Sequence, residues 1–123
     1  MNKSTIKNIA LRFNEQINNR NLEVLTQLMT KDHRFIDSSG DIVEGQEKMK
    51  EAWRKFFELY PDYQNIFSEI KVQENLVIMV GHSECSEKVL QGSAIWTAII
   101  RDDLVAEWRV FEDTEEVRQA LGL

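Results

Sequence analysis

The chain is poor in the residues that announce a chemistry outright. It has one cysteine and one proline in 123 residues, no surplus of basic side chains, and no long apolar run. Each absence removes a class of function. Cys85 has no second cysteine with which to form an intramolecular disulfide or share a zinc ion, and this points to a reducing compartment. Fifteen Lys+Arg against 21 Asp+Glu leave a formal net charge of -6. That is the wrong balance for a nucleic-acid surface, which uses clustered cations to displace condensed counterions. No signal-peptide core follows Met1-Asn2-Lys3-Ser4, and no stretch approaches the roughly 20 apolar residues of a membrane span. The sequence therefore predicts a cytoplasmic protein with neither membrane nor nucleic acid as partner. His33, His82 and the scattered carboxylates lack metal-ligand spacing, and no Gly-rich phosphate loop is present, so neither metal nor cofactor is expected.

What is present is an ordinary globular composition, 42% hydrophobic and 29% charged, of a length that suits one domain over residues 1–123. Ile6, Ile9, Ala10, Phe13 and Ile17 recur at helical spacing, which predicts an amphipathic helix over 5–18 with Ser4 as its N-cap. Asn21 can cap a second short helix carrying Leu22, Leu25, Leu28 and Met29, making a helix hairpin. His33 to Asp37 reads as a short strand, Ser38 to Asp41 as a turn, and Ile42-Val43 as a second extended piece. Met49, Ala52, Trp53, Phe56 and Tyr60 define a longer helix that Pro61 ends, since proline lacks the amide hydrogen a continuing helix needs. Strands are predicted at 63–73, 76–87, 93–101 and 104–112, joined by short links that imply an antiparallel meander. Asp113 and Glu116 match a capping pair for a last short helix.

This order of elements resembles the nuclear transport factor 2-like superfamily, and within it the SnoaL-like polyketide cyclase group. The marks are Asn21-Leu22, Phe35-Ile36-Asp37, Gly45 before the long helix, Tyr60-Pro61-Asp62 at its end, and Glu107-Trp108-Arg109-Val110-Phe111-Glu112-Asp113 on the last strand. The resemblance implies an α+β fold in which a cone-shaped, curved antiparallel sheet packs on the long helix and the N-terminal hairpin and encloses a pocket. It also implies a homodimer formed through the sheet. Family members include isomerases, cyclases, epoxide hydrolases and proteins without a catalytic role, so the fold does not choose the function.

Alternation along the strands puts His82 and Glu84 on one face with Ile78 and Val80, groups Trp108, Val110 and Glu112, and groups His33, Phe35 and Asp37. If those faces line the pocket, acids and a histidine enter an apolar space, where burial raises carboxyl pKa values and equips them for proton transfer. Asp37, His82, Glu84 and Glu112 are therefore the candidate catalytic residues, and Phe13, Trp53, Trp96, Trp108 and Val110 the candidate ligand contacts. The bland alternatives are a turn-capping Asp37, a solvated His82 and Glu84, and tryptophans that simply fill the core. The resemblance places Asp37 where the family's isomerases carry their proton-shuttling carboxylate. It also places Phe13 where they carry a tyrosine, and Val110 where the epoxide hydrolases carry a second acid. Two functional expectations follow. One is a SnoaL-like protein that binds a small apolar molecule and catalyses acid-base proton transfer on it, and the other is a non-catalytic domain for ligand or partner binding.

Overall fold

Ile6, Ala10, Phe13 and Ile17 form the buried stripe of helix α1 (Lys3–Asn18) in the computed structural model, which describes residues 2–123. The helix starts earlier than Ser4 predicts. Asn2 is the N-cap, its side-chain oxygen accepting the Thr5 N–H at 2.8 Å. Asn21 caps α2 (Leu22–Gln27) as expected, but α2 ends before Met29, which opens strand β1 (Met29–Ile36). That strand is longer than the expected 33–37 segment. Strand β2 (Ile42–Glu44) then leads into α3 (Gln46–Leu59), whose N-cap Gly45 sits at φ +111°, a conformation that favours glycine. The Gly45 N–H donates to the His33 carbonyl at 2.7 Å and so fixes α3 against β1.

Strands β3 (Gln64–Gln73), β4 (Leu76–Glu84), β5 (Gly92–Arg101) and β6 (Leu104–Glu112) form the predicted antiparallel meander. The whole sheet runs β2-β1-β6-β5-β4-β3. It departs from the antiparallel expectation at one seam, where β1 and β6 lie parallel. Long-range packing makes that pair, and no local pattern encodes it. The pairing is irregular between Phe67 and Glu69 on β3 and between Ile99 and Ile100 on β5, the kind of break that bends a sheet. At the first break the strands close up. A Cβ on Gly81 would stand 1.9 Å from the Ile66 carbonyl oxygen, so only glycine fits there.

Both faces of the sheet are covered. On the inner face Val77, Met79, Trp96, Ala98 and Trp108 pack with the apolar sides of α1 and α3. On the outer face Ile78, Val80 and Ile95 pack with Phe111 and with Val117, Leu121 and Leu123 of the last helix and tail. That helix, α4 (Glu115–Ala120), is capped by Thr114, whose hydroxyl accepts the Val117 N–H at 3.2 Å. Asp113 is therefore not the cap. It pairs instead with Arg118 at 2.7 Å, and this contact holds its carboxyl below the usual range. Asparagines join α1 to the start of β3: Asn18 exchanges two hydrogen bonds with the Asn65 backbone, at 2.8 and 2.9 Å, and Asn65 Nδ2 donates to Asn14 Oδ1 at 3.1 Å.

Candidate functional site

The inward side chains do not fill the space between α3 and the sheet. Met49, Trp53 and Phe56 descend from α3 at helical spacing, while Trp96 on β5 lies opposite Val110 on β6, with Trp108 two residues before it. Phe35 and Val43 close the side toward β1 and β2, and Tyr63 and Asn65 enter where β3 begins. Together they enclose a cavity of about 340 Å³. Its deep wall is apolar and aromatic. Polar groups come from two places only: the β1–β2 loop supplies Asp37, Ser38 and Asp41 at the solvent side, and the start of β3 supplies Tyr63 and Asn65.

The loop that carries the carboxylates is built by one of them. Asp37 Oδ1 accepts the N–H groups of Ser39 at 2.9 Å and Asp41 at 3.1 Å, and Gly40 at φ +88° completes the turn. The turn-capping role is therefore real, and Asp37 is at the same time a half-buried wall residue of the cavity. Beside the carboxylates of Asp37 and Asp41, Tyr63 is a further titratable group in the wall. Burial pushes its phenol up to about 12, so the hydroxyl keeps its proton and acts as a donor and acceptor, never as a neutral-pH base. The Nε1 atoms of Trp53 and Trp96 and Oδ1 of Asn65 are buried without a hydrogen-bond partner.

A groove of mixed character continues the cavity, sharing Ser38, Tyr63, Leu90, Trp96 and Val110 with it. Leu90, at the end of a single 3-10 turn (Lys88–Leu90), stands between the two spaces. Glu112 and Asp113 line the groove's outer part.

Of the four candidate catalytic residues, the structure places Asp37 alone on the cavity. His82 and Glu84 do share a face with Ile78 and Val80, but that face is the outer one, which turns toward α4. The histidine Nε2 and the glutamate Oε2 lie 2.9 Å apart, with side chains 46% and 56% exposed. The expectation that they enter an apolar pocket is corrected. Glu112 is exposed on the groove, beyond the cavity wall. Among the candidate ligand contacts, Trp53, Trp96, Trp108 and Val110 are wall residues. Phe13 is not. It is fully buried behind the wall, its ring 4.8 Å from that of Trp108 and 5.6 Å from that of His33. His33 stays on the inner side with Phe35 but lies deeper than the cavity wall, packed against the Phe13 ring with Nδ1 2.6 Å from the Val105 carbonyl. Asp62 is more than a turn residue, since it accepts the Ser86 N–H at 3.0 Å and so anchors the segment after β4.

Sequence reasoning missed Asn65, Tyr63, Leu90 and Asp41. The helical spacing of Met49, Trp53 and Phe56 already indicated one wall. Nothing local indicated that β3 begins beneath that wall, because this depends on how the chain turns after Pro61. Among the described residues no group of three or more His, Cys, Asp or Glu could hold a metal ion, and no helix is long and apolar enough to cross a membrane.

The fold is shared with several solved structures. A protein from Shewanella denitrificans provisionally assigned as a SnoaL-like polyketide cyclase superposes with a TM-score of 0.78 at 13% identity, over 95% of this chain and 96% of that one. A Kribbella flavida protein provisionally assigned as a ketosteroid isomerase gives 0.76 at 14% identity, over 90% and 79%. An NTF2-like protein of unknown function from Cytophaga hutchinsonii gives 0.74 at 14% identity, over 96% and 95%. Likeness at these identities speaks for fold alone. No curated protein sequence matches the chain. The family model for the SnoaL-like domain matches residues 10–115, and the chain belongs to that family.

Proposed function

We propose that the protein binds a compact, largely apolar molecule in the cavity beneath α3 and that Asp37 transfers a proton on it. The observation that carries the reading is the division of labour in the wall. Three tryptophans and several smaller apolar side chains form the depth, while a single half-buried carboxylate reaches the cavity from a loop it holds rigid itself. Apolar walls with a few placed polar groups are the usual make-up of a small-molecule site. A carboxylate whose Oδ1 is occupied by backbone N–H groups keeps Oδ2 for chemistry. Asp37 Oδ2 removes a proton from carbon beside a carbonyl, and the resulting acid returns it to a neighbouring position or to the same one. The Tyr63 phenol, kept protonated by burial, is the donor within the same wall. His82, Glu84 and Glu112 have no part in this step because none of them lines the cavity. The protein's likeness in fold to structures assigned as cyclase and isomerase agrees with proton transfer at carbon.

The test uses 2-tetralone, a compact bicyclic ketone with exchangeable α-protons. The wall tryptophans report binding through their fluorescence, and proton NMR in D2O follows exchange. The expected result is saturable quenching and protein-accelerated exchange. Asp37→Asn keeps its turn, because the amide oxygen still accepts both N–H groups. It should retain binding and lose about a hundredfold or more of the exchange rate. Exchange that survives in Asp37→Asn removes the catalytic role, and absence of any quenching removes the binding site.

A further inference from the structure

Among the described residues no cation lines the cavity or its groove. Neither contains a Lys, Arg or His, whereas Asp37, Asp41, Glu112 and Asp113 all border the pair. Of these four, Asp113 is neutralised by Arg118, and the other three have no ion-pair partner among the described residues. The nearby cations are turned away or stand aside. Arg109 lies over the Phe111 ring at 4.4 Å, and Lys88 is exposed two residues before Leu90. The wall behind the rim is aromatic, with Trp53 packed edge-on against Phe35 and Phe56 at centroid distances of 5.9 and 5.5 Å.

We infer that the cavity selects its ligand by charge, accepting neutral or cationic apolar molecules, with a ring-bearing amine as the preferred class, and rejecting carboxylates and phosphates. This rests on the binding reading above and adds the ligand class to it. The physical case has three parts. An anion brought to the rim meets three uncompensated carboxylates, and the one cation that touches a lining residue, Arg118, is already paired with Asp113, inside a chain whose net charge is -6. An ammonium at the same place gains from each of them. The electron-rich faces of the aromatic wall add to the preference, since a desolvated cation is drawn to such faces. Each exposed carboxylate contributes little alone, but all of the contributions point one way.

The test is a matched series on one apolar body: 2-naphthylmethylamine as its ammonium, 2-naphthylmethanol and 2-naphthoate, titrated into the whole protein by tryptophan fluorescence and calorimetry. At low ionic strength the ammonium should bind roughly tenfold more tightly than the carboxylate, with the alcohol between them. The gap should narrow at 0.5 M salt, where exposed charges are screened. Asp41→Asn combined with Glu112→Gln should shrink it at low salt, with the ammonium losing more affinity than the alcohol. Equal affinity across the series, or tightest binding of the carboxylate, overturns the charge selection while leaving the cavity as a binding site. Failure of all three to bind overturns both.

Discussion

His33 is fully buried, yet imidazole titrates within the physiological range, and the structure fixes what that conflict does to stability. Nδ1 lies 2.6 Å from the Val105 carbonyl oxygen, so Nδ1 carries the proton and donates it, while Nε2 faces the core near the Phe13 ring with no partner. A second proton on Nε2 would place a charge among apolar groups. Burial accordingly pushes the His33 pKa below its ordinary 6.5, and the Val105 carbonyl and the Glu107 and Asp32 carboxylates pull the other way without prevailing. The sign follows from linkage. Below about 6.5 the unfolded chain takes up a proton that the folded protein refuses, so stability is complete above that pH and falls as pH drops toward the folded value. The slope approaches ~1.4 kcal/mol per pH unit, against a total stability of about 5–15 kcal/mol for a domain. Urea unfolding at pH 7.5, 6.5 and 5.5 reads it out. His82→Gln serves as background, to remove the other imidazole. His33→Gln, whose amide can still donate to Val105, should flatten the slope whatever it does to the absolute stability. Stability that does not change between pH 7.5 and 5.5, or a His33 ring that titrates above 6.5 by NMR, refutes the reasoning.

Two substitutions test the packing. Gly81→Ala places a methyl 1.9 Å from the Ile66 carbonyl oxygen, and because the obstacle is backbone the strands must part. A loss of about 1–3 kcal/mol is expected, seen as a lower urea midpoint at unchanged slope. Thr114→Ala removes the hydroxyl that caps α4 and should cost ~1 kcal/mol in the same assay, while Glu116→Ala changes little, which separates the observed cap from the Asp113–Glu116 pairing that the sequence suggests.

The elements were legible because their signals are local. Asn21, Gly45, Pro61 and the Glu74-Asn75 and Asp102-Asp103 turns mark boundaries through side-chain chemistry or backbone geometry, and three of these turn residues, Glu74, Asp102 and Asp103, do adopt positive φ. The orientation of β4 was not legible. Leu76 to Val80 is apolar at every position, so alternation says which residues share a face but not which face looks inward. In the structure Val77 and Met79 look toward α1, and Ile78 and Val80 look toward α4. A short terminal helix thus decides where His82 and Glu84 go. For β6 the ambiguity is smaller, since Trp108 and Val110 alternate with charged Glu107 and Arg109, and the cavity face follows from that contrast. Even there Glu107 is buried, because Arg34 from the parallel neighbour β1 meets it at 2.7 Å, a pairing only the tertiary fold creates.

Where the polar groups of the cavity originate has a consequence for how such proteins acquire a function. None of the cavity carboxylates belongs to a long strand. Asp37 and Asp41 come from the turn between β1 and β2, and Tyr63 and Asn65 from the point where the chain re-enters the sheet after Pro61. Of these positions Ser38 and Asp41 are exposed loop residues that can change without disturbing the core, whereas Asn65 is buried and tied to Asn14 and Asn18 of α1. The apolar wall, in contrast, is shared with the core itself: Trp53, Trp96 and Trp108 are at once cavity lining and members of the inner cluster. Shape and greasiness are therefore tied to stability, while the charged and hydrogen-bonding groups of the lining are carried by about five residues of loop and strand end. Changing Ser38 or Asp41 to a cation would cut the negative charge seen by a ligand at little cost in folding, since both side chains are exposed. Changing Trp96 would alter the fit and the fold together. The β1–β2 loop is therefore the segment of this chain in which the charge at the cavity can change with least effect on the core.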